Sequence, residues 1–322
     1  METPQKQVRI TRSIPGKLDI PDACMRVLGE GLATRESLKP FVLGAHAIVT
    51  MYTDPVDEEL LDGAGDQLQI VNNFAVGIDN IDLEACKDRG IVVCNTPDAV
   101  TEGTANLAFL LMLSVARRLV EADRYARSPD YLANGQLGMG DFLGLDLCGK
   151  ELLIVGAGRI GYGVALRARS LGMRISYVAR SRHLDFEMSP LGARRVELDV
   201  GLMEADVVSI HTPLTGETRH LIDAKRLKSM KSDAILVNTA RGPIVDEGAL
   251  VEALDSGHLW GVGLDVYEEE PVVHAGLVGS DRVVLTPHIG SAEVRWRLAM
   301  TEMVGASVLA VFSGEEPANR VV

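Results

Sequence analysis

Three side chains late in the sequence could together reduce a carbonyl that lies next to a carboxylate: Arg241 in "VNTARGPIVDE", Glu270 in "GLDVYEEEP" and His288 in "TPHIGSA". A guanidinium can hold an acid through paired hydrogen bonds, and an imidazole can deliver a proton to the carbonyl oxygen. A carboxylate beside that imidazole would favour its charged form. The hydride must come from a carrier, because no side chain supplies one. A seat for such a carrier is present: Gly156, Gly158 and Gly161 fit G-x-G-x-x-G directly after the strand-like "ELLIV". Gly156 allows the tight turn, Gly158 lets backbone N–H groups approach a pyrophosphate, and Gly161 permits close packing of helix on strand.

A little under twenty residues further on, "YVARSR" decides which dinucleotide fits. An acidic residue at this strand end would bind the ribose 2′-hydroxyl and repel a 2′-phosphate. Ala179 stands there instead, followed by Arg180, Ser181 and Arg182. Two arginines can pair with a phosphate and the serine can donate a hydrogen bond, so the site suits NADP, with NAD as the weaker cofactor. Charges about 4 Å apart interact by roughly 4 kcal/mol at an effective dielectric of 20, and by less at a salty surface. A net preference of about 2–3 kcal/mol follows, roughly 30-fold to 150-fold.

Taken singly, each residue has a plainer reading. Arg241 could close a strand-end salt bridge, Glu270 could belong to a solvated acidic run, and His288 could be a hydrogen-bonded loop histidine. The glycines could make only a turn, and the arginines could be solvated. Their placement together argues against all of these at once.

The elements that must position them are short β-branched runs alternating with helical patterns. From Lys150 onward "ELLIV", "RISYV", "DVVSIH", "AILVNT", "GVGLDV" and "RVVLTP" read as strands of a parallel sheet. Helices are expected over Arg159 to Leu171 and Glu247 to Ser256, with Gly172 and Gly257 as stops. Arg241 and His288 then follow strand ends, where ligands of open α/β sheets bind. The first hundred residues repeat the alternation in "QVRIT", "AIVTMY", "LQIVNN" and "GIVVCN". Thr101 to Arg127 reads as one long helix whose middle, "LAFLLMLSVA", is apolar on nearly all faces, so it must be covered on more than one side, either as a core helix within one subunit or, the favoured reading, partly by a second subunit. The glycine-rich stretch that follows, to Lys150, reads as a loop.

Composition narrows the class. At 322 residues the chain calls for two domains, and its net charge of −13 would repel a nucleic acid. Cys24, Cys86, Cys94 and Cys148 form no C-x-x-C pair, so they predict reduced, mostly buried thiols and no metal site. The N-terminal residues lack the apolar core of a secretion signal, and the longest apolar run is too short for a bilayer. A cytoplasmic protein is expected.

Together "NNFAVGIDNID", "NTPDAVTEGTANLAFLLML", "GAGRIG", "VNTARGPIVDE", "GLDVYEEEP" and "TPHIGSA" resemble the D-isomer-specific 2-hydroxyacid dehydrogenases, in that family's order and spacing. The resemblance implies a doubly wound Rossmann dinucleotide-binding domain over 99–290. It also implies a smaller flavodoxin-like α/β substrate domain, discontinuous over 1–98 and 291–322, with a hinge and a cleft that closes. It implies Arg241, Glu270 and His288 as the catalytic trio. Thr104, Arg159, Ile160, Thr212, Pro213, Thr239, Ala240, Arg241, Asp265, His288 and Gly290 would contact the cofactor, Asp265 through the nicotinamide amide. Backbone N–H groups near Val76 and Gly77 would bind the substrate carboxylate, and the loop around Met51 would wall the pocket. A homodimer through the helix near 101–127 is likewise implied.

Within the family, "VARSR" looks like the NADP-using glyoxylate and hydroxypyruvate reductases. Glu270 stands where formate dehydrogenases carry glutamine. A sibling acting on phosphoglycerate, D-lactate or a phosphonate-type substrate is the nearest rival. The dinucleotide-sensing corepressors built on the same scaffold are a distant one.

Overall fold

The computed structural model describes residues 5–31 and 33–322. The chain divides into two compact units, one running up to Val100 together with Ser291–Val322, the other covering Thr101–Gly290.

The first unit is built on five parallel strands: β1 Lys6–Ile10, β2 Ala23–Val27, β3 Ala47–Thr50, β4 Ile70–Asn73 and β5 Val92–Cys94, in the order β2-β1-β3-β4-β5. That is the flavodoxin-like order. On one face Ile48, Val71 and Val93 pack with Leu38, Leu60, Leu61 and Cys86 from the helices Arg35–Val42, Glu58–Ala64 and Leu83–Asp88. The helix Val294–Phe312 lies against β4 and β5, and Asn72 Nδ2 reaches its Val304 carbonyl at 3.4 Å. Strand β2 was not expected from sequence. Its residues are half-buried to exposed, as befits an edge strand, so "ACMRV" lacks the apolar run that marks the inner strands.

The second unit has seven parallel strands: β6 Glu151–Val155, β7 Arg174–Val178, β8 Arg194–Arg195, β9 Val207–Ile210, β10 Ile235–Asn238, β11 Gly261–Leu264 and β12 Val283–Leu285. Their order is β12-β11-β10-β9-β6-β7-β8, the Rossmann order with its reversal between β6 and β9. Both faces are covered, which explains the nearly continuous apolar strands. Leu152, Ile154 and Val237 face the helices Thr101–Ala116 and Arg159–Ser170, while Leu153, Val155, Val208 and Leu236 face the other layer. Gly172 and Gly257 follow their helices with φ of 87° and 73°, as expected of helix stops.

The long helix is not continuous. It runs over Thr101–Ala116 and resumes over Leu119–Arg127 after a bend of 65°. The carbonyls that would have carried it onward are diverted: Trp260 Nε1 donates to Val115 O at 3.2 Å and Leu145 N to Ala116 O at 2.8 Å. Arg118 then takes a left-handed φ of 52°. Neither donor is near in sequence, so no local pattern marks the break. The stretch read as loop also contains a short helix, Pro129–Asn134. Of the cysteines, Cys86 and Cys94 are buried and burial pushes each thiol up to about 11, whereas Cys24 is half-buried and Cys148 exposed. Among the described residues no single helix is long and apolar enough to cross a membrane, and no group of three or more His, Cys, Asp or Glu could hold a metal ion.

Candidate active site

In the second unit the three catalytic candidates are carried by the segments after β10, β11 and β12. His288 Nδ1 lies 2.7 Å from Glu270 Oε2, and the other carboxylate oxygen accepts the Tyr267 N–H at 3.2 Å. Both side chains are about one-fifth exposed, so the pair is sheltered from water without being sealed. With Nδ1 engaged by the carboxylate, Nε2 is the nitrogen that would serve a substrate.

His288 itself has φ 54°, an unfavourable region for a side chain with a Cβ. Asp265 holds it there. Its Oδ1 accepts from Thr286 Oγ1 at 2.6 Å and from Ile289 N at 2.8 Å, and its Oδ2 accepts from Gly290 N at 2.8 Å. Asp265 is buried, and burial raises its carboxyl above the usual range although those hydrogen bonds and nearby His288 pull the other way. Tyr267 completes the support by donating its hydroxyl to Thr286 O at 2.8 Å, and burial beside Asp265 and Glu270 pushes that phenol up to about 12.

Arg241 is placed by its neighbours. Asn238 Nδ2 donates to the Arg241 carbonyl at 2.9 Å, and Arg241 Nη1 donates to Ala240 O at 2.7 Å. Directly after it, Gly242 packs against the strap leading to Glu270: a Cβ there would sit 1.9 Å from Tyr267 C and O. The cation's loop and the carboxylate's loop are thus in backbone contact, and only glycine permits it.

The glycine turn lies at the reversal of strand order. Gly156 has φ 105°, and a Cβ on it would meet the backbone of His211 and Thr212 at 2.6–2.7 Å; one on Gly161 would meet Gly156 O at 2.5 Å. These two glycines are demanded by the protein's own packing. A Cβ on Gly158, in contrast, meets nothing within 4 Å, so packing within the protein does not demand glycine there. Arg159 and Ile160 open the helix that starts there, and the backbone of Thr212, with Pro213 next in the chain, meets the turn from the end of β9. Thr239 Oγ1, after β10, is buried without a hydrogen-bond partner. Gly290, Thr104 and Asp265 cluster, since a Cβ on Gly290 would lie 3.1 Å from Thr104 Oγ1 and 3.3 Å from Asp265 Oδ2. An open cradle at a helix N-terminus and an orphaned hydroxyl after β10 of the same sheet suit a dinucleotide.

At the end of β7, Ala179 is half-buried while Arg180, Ser181 and Arg182 are exposed. Arg182 does not project alone, because its Nε donates to Glu187 Oε2 at 2.6 Å.

In the first unit, the candidate substrate segments are held by three asparagines that sequence reasoning did not single out. Asn95 Nδ2 donates to Val76 O at 2.8 Å, Asn73 Nδ2 to Gly77 O at 2.7 Å, and Asn80 Nδ2 to Met51 O at 3.1 Å. Asn73 ends the run "IVNN", where two amides after apolar residues are the signal that could have been read.

The Rossmann sheet, the glycine cradle and the histidine–carboxylate pair define a nicotinamide-dependent oxidoreductase. The second unit matches the family model described as D-isomer specific 2-hydroxyacid dehydrogenase, NAD binding domain, over residues 109–290. A glyoxylate reductase of Thermococcus litoralis is 48% identical over 277 residues, covering 85% of this chain and 83% of that protein. A solved structure from Thermus thermophilus superposes with a TM-score of 0.92 at 43% identity, covering 98% of this chain and all of that one. The solved NADPH-dependent glyoxylate/hydroxypyruvate reductase of Sinorhizobium meliloti, in complex with NADP and malonate, superposes with a TM-score of 0.84 at 30% identity, covering 99% and 97%. The chain belongs to the D-isomer-specific 2-hydroxyacid dehydrogenase family. It is an enzyme that interconverts a 2-oxo acid and a 2-hydroxy acid with a nicotinamide dinucleotide.

Proposed function

We propose that the enzyme reduces glyoxylate, hydroxypyruvate or a close 2-oxo acid with NADPH in preference to NADH, giving the D-hydroxy acid where the product is chiral. The observation that carries the cofactor half is the end of β7, where Ala179 replaces a carboxylate and Arg180 and Arg182 supply positive charge. The likeness to glyoxylate reductases supports the substrate half.

In this reading Arg241 grips the substrate carboxylate through paired N–H groups. His288 donates its Nε2 proton to the carbonyl oxygen, and Glu270, bonded to Nδ1 at 2.7 Å, stabilises the imidazolium before transfer and keeps the ring's orientation afterwards. The reduced nicotinamide, when bound, supplies the hydride to the carbonyl carbon. Gly156, Gly158, Arg159, Ile160 and Gly161 cradle the pyrophosphate. Thr104, Thr212, Pro213, Thr239, Ala240, Asp265 and Gly290 line the rest of the cofactor seat. Backbone N–H groups at Val76 and Gly77, with Met51 as a wall, hold the acid.

The enzyme acts as a homodimer in this reading. Leu110, Leu119, Leu132, Met139 and Leu143 are 53%, 51%, 89%, 91% and 62% exposed. So many large apolar side chains in one stretch suit a surface that a second copy covers. Light scattering on Leu119→Asp with Leu132→Asp should show monomer where the unaltered protein shows dimer. For the activity, a panel of 2-oxo acids assayed with each cofactor is the test: turnover of glyoxylate or hydroxypyruvate well above pyruvate is expected, and a clear preference for pyruvate would reassign the substrate.

A further inference from the structure

The stretch "VARSR" is not the whole of the seat after β7. Strand β8 is only two residues long, with Tyr177 and Arg195 in register across the β7–β8 pair. Arg194 turns to Glu204, while Arg195 turns to the end of β7. There Arg195 Nη2 donates to Ala179 O at 2.9 Å and to Arg180 O at 3.1 Å, and Nε approaches Ala179 O at 3.3 Å. A third guanidinium therefore braces the two carbonyls that set the direction of Ala179 and Arg180.

A carboxylate works against it. Glu187 accepts Arg182 Nε at 2.6 Å on one oxygen and the buried Tyr177 hydroxyl at 2.8 Å on the other, so its position is fixed from beneath. The Tyr177 oxygen also accepts His183 N at 3.0 Å. Asp185, on the same short helix as Glu187, faces His183 at 3.9 Å instead. The Glu187 carboxyl is held below the usual range by Arg182 first, then by the Tyr177 hydroxyl, with Arg195 adding a smaller pull.

We infer that Arg195 and Glu187, both outside the recognised motif, set the strength of the cofactor preference in opposite directions: Arg195 positions the turn and adds a cation to the 2′-phosphate seat, and Glu187 damps the charge of Arg182. This rests on the NADPH reading. Arg180, Arg182 and Arg195 against Glu187 leave two net positive charges, which match the charge of roughly −1.5 to −2 on a phosphate monoester at neutral pH. Without Arg195 the turn loses both its brace and a third of its positive groups. Without the Glu187 charge, Arg182 is released toward a phosphate.

The test is calorimetric binding of 2′,5′-ADP and of 5′-AMP to the whole protein, with KM and kcat for NADPH alongside. For the unaltered protein the ratio of affinities favours 2′,5′-ADP. Arg195→Gln should lower that ratio about five- to tenfold, with the loss in the NADPH KM rather than in kcat, and Glu187→Gln, which keeps an oxygen for Tyr177, should raise it severalfold. Both changes should shrink as salt is added. An unaltered protein that favours 2′,5′-ADP while both variants keep its ratio, or move it the same way, overturns this inference and leaves the NADPH reading standing. An unaltered protein with no preference overturns both.

Discussion

The loops around His288 and the turn after β7 are built on opposite principles. Around His288, oxygens of Asp265 and Glu270 are engaged by named partners within the fold, and the strained φ of 54° persists because three hydrogen bonds to Asp265 hold the segment. At the other region the groups are exposed arginines, one already tied to Glu187. Groups that do chemistry must be held to fractions of an ångström, whereas a charged seat works through a field that tolerates motion and is screened by salt. The first region should fail abruptly when altered, and the second by degrees.

The sharpest break is expected from His288→Ala. Loss of the proposed proton donor should lower kcat by about 100- to 10,000-fold while cofactor affinity stays within a few fold, measured by steady-state kinetics and fluorescence titration. If reduction survives at more than a tenth of the original rate, another group delivers the proton. Gly242→Ala probes the scaffold without touching a catalytic atom. Its Cβ must push the Tyr267–Glu268 backbone away, so activity should fall by about 100-fold with a lower Tm. Normal kinetics would show that the Arg241 and Glu270 loops are not coupled.

The charged seat should respond more gently. Arg180→Ala with Arg182→Ala should raise the NADPH KM by about 30-fold and the NADH KM far less, with the difference shrinking in salt. A parallel rise in both would make the arginines general structural groups.

The smallest effect concerns His211, at the mouth of the glycine turn, whose Nε2 lies 2.8 Å from Ser209 Oγ. Burial lowers its pKa to about 3, so the folded state refuses a proton that the unfolded state accepts below about 6.5. Stability from this neutral imidazole is whole above about pH 6.5 and is lost progressively as pH falls toward 3. Comparing unfolding of His211→Asn and the unaltered protein at pH 7 and pH 5, the variant should lose less on acidification, by on the order of 1–2 kcal/mol. Equal losses would mean that His211 already takes its proton in the folded state.

The contrast between the regions also explains what could be read in advance. The inner strands were legible because both faces of each sheet are covered, so their residues are mostly apolar. Gly156 and Gly161 were legible because backbone contact admits no side chain, and Arg241, Glu270 and His288 because they sit in dense motifs. The helix break at Ala116 was not, since Trp260 and Leu145 reach it from far along the chain. Nor were Arg195 and Glu187, which join the turn after β7 only through a two-residue strand and a four-residue helix too short to leave a period. The asparagines that hold Met51, Val76 and Gly77 look in sequence like ordinary loop residues; their role lies in which carbonyl each one meets.

The central claim joins both regions: a 2-oxo acid is reduced at His288 with a hydride from the phosphate-bearing cofactor. Its most direct test is kcat/KM for glyoxylate and hydroxypyruvate on one purified preparation, with NADPH and NADH each varied at low salt. The account predicts efficient reduction with NADPH favoured by about 30-fold or more. Equal or better turnover with NADH would contradict it.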